Sequence, residues 1–511
     1  MLAESWKRLQ NGSDIRGIAL EGIEGQKVNL TADIVKDIAA AFGCWLSDTA
    51  GKPAKDLKVS VGNDSRLSAA ALRNAIIEGL KETGCEVINF GLASTPAMFM
   101  STVTPGYTYD GAIMITASHL PFNRNGMKFF TPKGGLEKKD ISEILERAAA
   151  GNFKKVDKQG NVSELDFISV YAGILVNKIR EAVNHPSSWD MPLKGFKIAV
   201  DAGNGAGGFF ADKVLKPLGA DTQGSQFLDP DGSFPNHIPN PEDKDAMESL
   251  REAVIKNKAD FGIIFDTDVD RAGAVDSSGR EINRNRIIAL MSAIVLEEHP
   301  GSTIVTDSIT SGGLKAFIEN DLKGRHHRFK RGYKNVINEA IRLNDSGIES
   351  QLAIETSGHG ALKENFFLDD GAYLIAKILI KMAKMKIESG KTVDELIHSL
   401  EEPLESSEFR MNIRTENFRE YGEKVLTDLK EYSLRMESWS VEPENYEGIR
   451  VSFGKEKGDG WFLLRMSLHD PLMPLNIEAN SPGGVKSIAG QLLPFLKKYE
   501  GLDISSVEKT K

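Results

Sequence analysis

The chain contains 511 residues, of which 41% are hydrophobic and 27% are charged, and its formal net charge is −10. This length exceeds what one hydrophobic core holds, because domains usually contain about 100–200 residues. The composition is that of a soluble globular protein, and the acidic balance argues against a nucleic-acid partner.

Other sequence features bear on the compartment. No apolar run reaches the roughly 18 residues that a membrane span needs, so we expect no membrane partner. Cys44 and Cys85 give neither a disulfide framework nor CxxC spacing. The N-terminus lacks the apolar segment of a secretion signal. We therefore expect a cytoplasmic protein, or one of the plastid stroma if a transit peptide has been removed, and not a secreted one.

Three stretches of the chain repeat one order of elements: a β-branched run, a turn rich in glycine or serine, and a helical pattern. The runs are Leu57–Gly62, Lys197–Asp201 and Ser302–Asp307, and the helical patterns cover 68–83, 209–218 and 314–320. This order is typical of parallel or mixed sheets. The sequence therefore predicts the α/β class, with three related α/β domains and mixed sheets.

After about residue 405 the pattern changes. Residues 410–414, 449–453 and 461–467 have the composition of strands, and 485–499 form an amphipathic helical pattern. These elements predict a C-terminal α+β domain. We place four domains at residues 1–185, 186–300, 301–405 and 406–511, and expect the charged stretch Leu145–Leu165 to be an exposed connection.

Residues 116–130 place Ser118, His119 and Lys128 in one loop directly after the predicted strand Gly111–Thr116. If the loop doubles back through Pro121 and Gly126, it returns the lysine ammonium to the serine, which is the layout of an activated nucleophile. The alternative is a strand-end turn with a solvent-facing Ser-His pair.

The apolar run 261–265 leads into Asp266, Asp268 and Asp270. In an extended backbone, side chains two residues apart point the same way, so the three carboxylates are expected to converge. Oxygen ligands of this kind suit Mg²⁺. A calcium loop of the EF-hand type does not fit, because Arg271 replaces its glycine and Ser277 its glutamate. A plain acidic turn is the remaining alternative.

One segment favours a different function. Residues 203–208, Gly-Asn-Gly-Ala-Gly-Gly, match the dinucleotide-binding pattern GxGxxG after a predicted strand, and Asp221 lies near the expected acidic position. An NAD-binding protein is therefore an alternative. The same glycines also suit a βα turn that packs closely.

Together these stretches resemble the α-D-phosphohexomutase superfamily, which contains phosphoglucomutases, phosphomannomutases and phosphoglucosamine mutases. The resemblance covers most of the chain and implies four domains around a central cleft. It rests on the number and order of the matching segments, which are 13–17, 62–66, 94–96, 116–128, 231–242, 266–271 and 354–359.

For the reacting centre, the resemblance implies a phosphoryl group on Ser118 and one Mg²⁺ per chain bound by Ser118, Asp266, Asp268 and Asp270. Lys128 is the implied general acid or base, if positive charge or burial lowers its pKa; a phosphate anchor is its alternative role. His359 is the second candidate for proton transfer. The implied catalytic residues are Ser118, His119, Lys128, Arg271, His359 and Arg16.

The resemblance also implies where substrate binds. Residues 354–359 resemble the sugar-binding loop, 332–334 the specificity loop, and 465–471 the loop for the distal phosphate. The implied substrate-binding residues are Glu355, Ser357, Gly332, Lys334, Arg465, Ser467 and His469. The chain departs from the usual pattern at Leu120, Ile354, Leu468 and His469.

The implied reaction interconverts hexose 1-phosphate and hexose 6-phosphate through a hexose 1,6-bisphosphate, which would also act as activator. The expected partner is a phosphorylated hexose, and the expected state is a monomer or weak dimer. Glucose, mannose and glucosamine phosphates are equally compatible with the sequence. A catalytically degenerate phosphosugar-binding or regulatory homologue is the main alternative, followed by a phosphatase and by the NAD-binding protein.

Overall fold

The structure is a computed structural model that describes residues 3–151, 153, 156–467 and 470–510. The chain divides into two compact units. The first contains Met1–Ile287 and Ser357–Glu395, and the second contains Ile288–Thr356 and Leu396–Lys511. Within the described residues, no helix is long and apolar enough to cross a membrane.

The first region of the chain forms a mixed sheet with helices. Its elements, in chain order, are α1 (Glu4–Lys7), β1 (Gln10–Asn11), β2 (Asp14–Ile18), α2 (Ala32–Ala50), β3 (Lys58–Asn63), α3 (Ala69–Glu82), β4 (Glu86–Leu92), α4 (Thr95–Val103), β5 (Gly111–Ile115), β6 (Arg124–Thr131), β7 (Gly134–Gly135), α5 (Lys138–Ala150), β8 (Val162–Glu164) and α6 (Phe167–Val183). The sheet has the strand order β1-β2-β6-β5-β3-β4-β8, with β7 paired to β6. β3 is parallel to β4 and β5, whereas β6 is antiparallel to β5 and β2.

Capping and burial explain these elements. α2 begins after Thr31, whose side chain accepts the N–H of Ile34, and ends at Gly51, whose φ is 64°. Every residue of β3 from Val59 to Asn63 is buried, as expected for a strand that is covered on both faces. Ser118 follows the carboxyl end of β5, which is where open α/β sheets bind their ligands.

The second region forms a four-stranded sheet with the order β12-β11-β10-β9. Its elements are β9 (Ile198–Asp201), α7 (Lys244–Asn257), β10 (Phe261–Phe265), β11 (Ala272–Asp276), β12 (Glu281–Ile282) and α8 (Arg284–Glu298). β9 is parallel to β10, and β10 is antiparallel to β11. The aspartate cluster lies in the turn between β10 and β11.

The third region contributes to both units. Its elements are β13 (Thr303–Thr306), α9 (Gly312–Ala316), β14 (Arg325–Arg328), α10 (Tyr333–Asp345), β15 (Ser350–Ile354), β16 (Gly360–Leu362), β17 (Leu368–Asp369) and α11 (Gly371–Glu388). In the second unit, β13 is parallel to β14 and β15. In the first unit, β16 and β17 pair in antiparallel fashion.

The last region is an antiparallel sheet with helices, in the order β18-β22-β21-β20-β19. Its elements are β18 (Glu405–Asn412), α12 (Phe418–Leu434), β19 (Ser440–Val441), β20 (Ile449–Phe453), β21 (Gly460–Leu464), β22 (Leu472–Ala479), α13 (Gly484–Leu496) and α14 (Ser505–Glu508). Within the second unit, the buried Arg450 donates to the backbone oxygens of Ser308 and Thr310 at 2.9 and 3.0 Å. Its guanidinium lies 3.6 Å from the ring centroid of Trp461.

The structure is helical at 209–218, as predicted, but with π-helical geometry in Phe210–Leu215 and 3₁₀ geometry in Lys216–Leu218. Pro217 has no N–H to donate to a preceding carbonyl. One prediction about local structure is wrong. The stretch Leu145–Leu165 is not simply an exposed connection. α5 continues to Ala150 with Leu145 fully buried, and β8 pairs with β4. Residues 152, 154 and 155 lie outside the described part of the chain.

Further short 3₁₀ and π-helical turns complete the description. They are Ala54–Asp56, Phe317–Asp321, Lys363–Asn365, Val393–Ile397 and Lys455–Lys457.

Candidate active site

Ser118 lies in a tight turn between β5 and β6. Its backbone φ is 49°, a left-handed conformation that serine rarely adopts. The Ser118 N–H donates to Thr116 Oγ1 at 2.9 Å, and only 9% of the residue is exposed. A solvent-facing serine turn therefore does not describe this loop.

Two charged groups contact the Ser118 hydroxyl. Its Oγ donates to Asp266 Oδ2 at 2.8 Å and accepts from Arg271 Nη2 at 2.8 Å. The hydroxyl is therefore held between a carboxylate and a guanidinium.

The imidazole of His119 lies beside this hydroxyl. Its Nδ1 lies 3.4 Å from Ser118 Oγ and 2.6 Å from Arg271 Nη2. Burial, together with the charge of Arg271, lowers the pKa of His119 to about 3. His119 is therefore neutral at physiological pH, and its Nδ1 already accepts a hydrogen bond from Arg271.

The three aspartates lie in a turn after β10. The prediction of an extended backbone here is wrong, because Val269 has a φ of 67° and reverses the chain. The Gly371 N–H donates to the Val269 carbonyl at 3.0 Å and holds this turn. One ligand atom from each of Asp266, Asp268 and Asp270 nevertheless lies within 4.8 Å of the others. The carboxylates converge as predicted, but the turn brings them together and strand alternation does not.

Lys128, on β6, forms ion pairs with this cluster. Its ammonium contacts Asp270 and lies 3.0 Å from Asp268 Oδ2. Burial lowers the pKa of Lys128, but the charges of Asp268 and Asp270 outweigh burial and raise this pKa well above its usual value. The condition for an acid–base role of Lys128, a lowered pKa, is therefore not met in this arrangement.

The carboxylates differ in their electrostatics. Burial and the charges of Asp270 and Asp268 raise the pKa of Asp266 well above its usual range. Burial acts on Asp268 and Asp270 in the same direction, but Lys128 outweighs it, so the pKa of Asp268 is lowered and that of Asp270 falls well below its usual value. Asp268 Oδ2 also accepts from Thr95 Oγ1 at 2.5 Å.

The donor set fits a hard divalent cation. Asp268 Oδ1 and Asp270 Oδ1 are buried and have no hydrogen-bond donor among the residues that the structure describes. Buried carboxylate oxygens without donors are costly, and converging oxygens of this kind are the ligands of Mg²⁺ and similar cations. The Asp266, Asp268 and Asp270 group can therefore hold a metal ion.

His359 and Ser357 lie beside the cluster in the same unit. Arg271 and His359 form a backbone bridge, which brings His359 Nε2 to 3.6 Å from Asp270 Oδ1. His359 Nδ1 lies 2.8 Å from Ser357 Oγ. Burial lowers the pKa of His359, although Asp270 acts in the opposite direction.

Arg16 supports the turn from β2. Its guanidinium donates to the Thr116 carbonyl and to Asp14, both at 2.9 Å. The first unit thus contains every residue of the predicted reacting centre: Ser118, His119, Lys128, Arg271, His359, Arg16, Asp266, Asp268 and Asp270.

The second unit contains the predicted specificity loop. Gly332 has a φ of 113°, which favours glycine, and precedes α10. Its N–H donates to Glu355 Oε1 at 2.6 Å, and Lys334 lies in the first turn of α10. The Glu355 carboxylate is therefore bound to the Gly332 loop, an arrangement that sequence reasoning did not foresee.

Arg465 follows β21 and is almost fully buried, with 6% exposure. Its Nε has no hydrogen-bond acceptor among the described residues, and burial lowers its pKa while Glu447 acts in the opposite direction. Ser467 Oγ accepts the Asp470 N–H at 3.3 Å. His469 and Leu468 lie outside the described residues.

Two residues absent from the predicted site contact its residues, and a third, Glu447, contacts the residue before the specificity loop. Thr95 donates to Asp268, and Arg66 donates to the Ser118 carbonyl. Glu447 accepts from the Arg331 N–H at 3.1 Å and from Ser308 Oγ. Thr95 and Arg66 lie in segments that already resembled the superfamily, whereas no sequence signal singled out Glu447.

The glycine segment 203–208 has a packing role. The N–H groups of Asn204, Gly205 and Ala206 donate to backbone carbonyls of this unit, so they are not free to bind a pyrophosphate. A Cβ at Gly205 would meet the backbone of Thr267. This geometry argues against the dinucleotide alternative.

Comparison with known proteins extends these observations. Models of the phosphoglucomutase/phosphomannomutase alpha/beta/alpha domains I, II and III match residues 7–155, 175–279 and 283–404. A phosphoglucomutase from Neisseria meningitidis serogroup A is 30% identical over 489 residues, which cover 93% of this chain and 99% of the relative. A phosphoglucomutase/phosphomannomutase from Thermococcus kodakarensis is 31% identical over 473 residues, which cover 91% and 93% of the two chains.

A solved structure agrees with these relatives. The crystal structure of a phosphoglucomutase/phosphomannomutase family protein from Burkholderia thailandensis has a TM-score of 0.78 and 26% identity, and the match covers 98% of this chain and 100% of that one.

These matches define the class of protein, an isomerase of the α-D-phosphohexomutase superfamily. Within that class, the chain belongs to the phosphoglucomutase/phosphomannomutase family. The predicted superfamily, the α/β fold class with mixed sheets and the phosphohexomutase type of enzyme are confirmed. The domain boundaries and the roles of individual residues stay predictions.

Proposed function

We propose that this chain interconverts hexose 1-phosphate and hexose 6-phosphate through a phosphoryl group carried on Ser118 and a hexose 1,6-bisphosphate intermediate. The observation that carries the proposal is the contact set of the Ser118 hydroxyl. Oγ is bonded to both Asp266 and Arg271, so the atom that would carry the phosphoryl group is fixed beside groups of both signs.

In the proposed transfer, the bond between phosphorus and Ser118 Oγ breaks and a bond between phosphorus and a sugar hydroxyl oxygen forms. Arg271 already donates to Oγ, so it stabilises negative charge on the departing oxygen. The proton of the sugar hydroxyl passes to His359, which contacts Asp270, and is returned to Ser118 Oγ as the phosphoryl group leaves. Lys128 stays protonated beside Asp268 and Asp270. The reverse sequence at the other end of the sugar returns the phosphoryl group to Ser118.

The carboxylate cluster supports a role for one Mg²⁺. Asp266, Asp268 and Asp270, with Ser118, would hold the ion, which supplies positive charge against the phosphoryl oxygens when bound. Lys128 and Arg271 keep the buried carboxylates paired with positive charge. A hexose 1,6-bisphosphate is the activator in this scheme, because it restores the phosphoryl group on Ser118 whenever the intermediate is lost.

Substrate binding is assigned to the second predicted set of residues. Glu355 and Ser357 contact the sugar hydroxyls, with Gly332 and Lys334 as the specificity loop. Arg465, Ser467 and His469 bind the distal phosphate. Burial of Arg465 supports this assignment, because a guanidinium withdrawn from water binds a phosphate more strongly than one on the surface.

We expect Arg465→Ala to raise the KM for the hexose phosphate by more than about tenfold, because a charged hydrogen bond contributes roughly 1.5–3 kcal/mol. Steady-state kinetics measure KM and kcat separately. Arg435→Ala is the matched control, because Arg435 directly follows α12 in the same unit and its side chain is 78% exposed. A KM equal to wild type, with Ser118 still phosphorylated, would instead favour the catalytically degenerate homologue.

A mutase assay tests the proposed function directly. Wild-type protein is given the 1-phosphates of glucose, mannose and glucosamine, each with and without a trace of the matching 1,6-bisphosphate, and formation of the 6-phosphate is followed. We expect turnover with at least one sugar and stimulation by its bisphosphate. Release of inorganic phosphate without isomerisation would favour the phosphatase alternative.

A further inference from the structure

Arg66 lies in the turn between β3 and α3, and its side chain is fully buried. The turn belongs to segment 62–66, one of the segments that resemble the superfamily. The contacts of Arg66 connect it directly to the loop that carries Ser118.

The guanidinium of Arg66 binds four backbone carbonyls of that loop. Nη1 donates to the carbonyls of Pro121 and Arg124 at 2.8 and 3.0 Å. Nη2 donates to the carbonyl of Leu120 at 2.5 Å and to that of Ser118. One side chain thus holds the loop at four points between residues 118 and 124.

Asp64 positions this guanidinium. Asp64 Oδ2 lies 3.4 Å from Arg66 Nε, and Oδ1 accepts the Arg66 backbone N–H at 3.0 Å. Phe234 covers the guanidinium from another side, with its ring centroid 5.3 Å away. The charge is therefore buried, paired and fixed in orientation before it meets the loop.

The loop depends on such a partner for two reasons. Four carbonyl oxygens that face one point repel one another, and without a donor these buried or partly buried groups would be costly. Ser118 is also held at a φ of 49°, a conformation that costs energy for a residue other than glycine. The surrounding contacts must supply that energy.

We propose that Arg66 is a positioning residue of the phosphoryl-transfer site: it fixes the backbone of residues 118–124 so that Ser118 Oγ meets Asp266 and Arg271. Arg66 does not touch the reacting atoms. Its contacts are to backbone carbonyls, so the departure at Leu120 from the usual pattern leaves them intact. A planar guanidinium can serve two pairs of carbonyls at once, whereas a lysine ammonium is a point donor and cannot.

The test rests on the proposed function and uses Arg66→Lys, with Arg66→Met as a second variant. Lysine keeps the positive charge beside Asp64 but lacks the planar set of N–H donors that contacts the four carbonyls. We expect kcat to fall about 100-fold, as for a small displacement of a reacting group, with KM changed by no more than about threefold, because sugar and distal phosphate bind elsewhere. Intact-mass analysis should show slower uptake of a phosphoryl group at Ser118 from the hexose 1,6-bisphosphate.

Arg73→Lys is the matched control. Arg73 lies on α3 in the same region and donates to Asn63 Oδ1 at 2.6 Å. Its replacement therefore changes an arginine near Arg66 in the chain whose hydrogen bond goes to Asn63 and not to the Ser118 loop. We expect wild-type kcat and phosphoryl uptake for this variant.

Several outcomes would overturn the inference. One is a folded Arg66→Lys protein with wild-type kcat and wild-type phosphoryl uptake. Another is an Arg66→Lys protein in which only KM changes. A third is failure of both Arg66 variants to fold, which would assign Arg66 to stability alone. Failure of the proposed function has a different signature, because wild-type protein itself would then show neither turnover nor phosphoryl uptake.

Discussion

Replacement of Ser118 by alanine is expected to lower mutase turnover by at least about 1,000-fold, because the change removes the atom that carries the phosphoryl group. Intact-mass analysis after incubation with a hexose 1,6-bisphosphate should detect a phosphoryl group on wild-type protein and none on the variant. The fold is expected to persist. Loss of the hydroxyl bonds to Asp266 and Arg271 costs about 1–3 kcal/mol, which is less than the usual stability of a domain.

Ser142→Ala is the control for this experiment. Ser142 lies on α5 of the same region, and its hydroxyl bonds to Gln10 at 3.0 Å, far from the aspartate turn along the chain. Full turnover is expected for this variant. Wild-type protein that turns over substrate but never gains mass at Ser118 would reject the phosphoserine mechanism.

Removal of divalent metal is expected to abolish turnover, and Mg²⁺ should restore it. Asp268→Asn should raise the Mg²⁺ concentration for half-maximal activity by about tenfold or more, because one of three anionic ligands becomes neutral. A second measurement does not depend on activity. Mg²⁺ should raise the Tm of wild-type protein, because a ligand that binds the native state stabilises it, and this shift should be smaller for Asp268→Asn.

Asp212→Asn is the matched control for the metal experiment. Asp212 is 59% exposed and pairs with Lys216 on the surface of the same unit, so the Mg²⁺ dependence should be that of wild type. Full turnover after exhaustive chelation would contradict the metal role, as would equal Mg²⁺ dependence of Asp268→Asn and wild type.

The main parts of the candidate site could be predicted because they follow buried strands. Ser118 comes after β5 and Asp266 after β10, and both strands are apolar runs that the sequence marks clearly. The geometry between the aspartates could not be predicted in the same way. A spacing of two residues brings carboxylates together in a strand, but here a turn with Val269 in a left-handed conformation does so.

Arg66 illustrates what the sequence could not reveal. Its partners are backbone carbonyls 52–58 residues further along the chain. Every residue has such a carbonyl, so the residue types do not indicate which carbonyls accept a hydrogen bond. The pKa of Lys128 is a similar case. The direction of its pKa shift depends on two carboxylates from the turn between β10 and β11, and their distance from the ammonium follows only from the tertiary structure.

The contacts of Arg450 have a consequence for how the chain folds during synthesis. Ser308 and Thr310 precede the arginine that binds their carbonyls by 142 and 140 residues. On a ribosome, β13 to β15 therefore emerge long before β20, and their loop lacks its buried donor until the last region has been made. Contacts so distant in sequence slow folding. A chain that is cut after residue 405 would lack Arg450, and its third region would consequently not fold as a smaller independent protein.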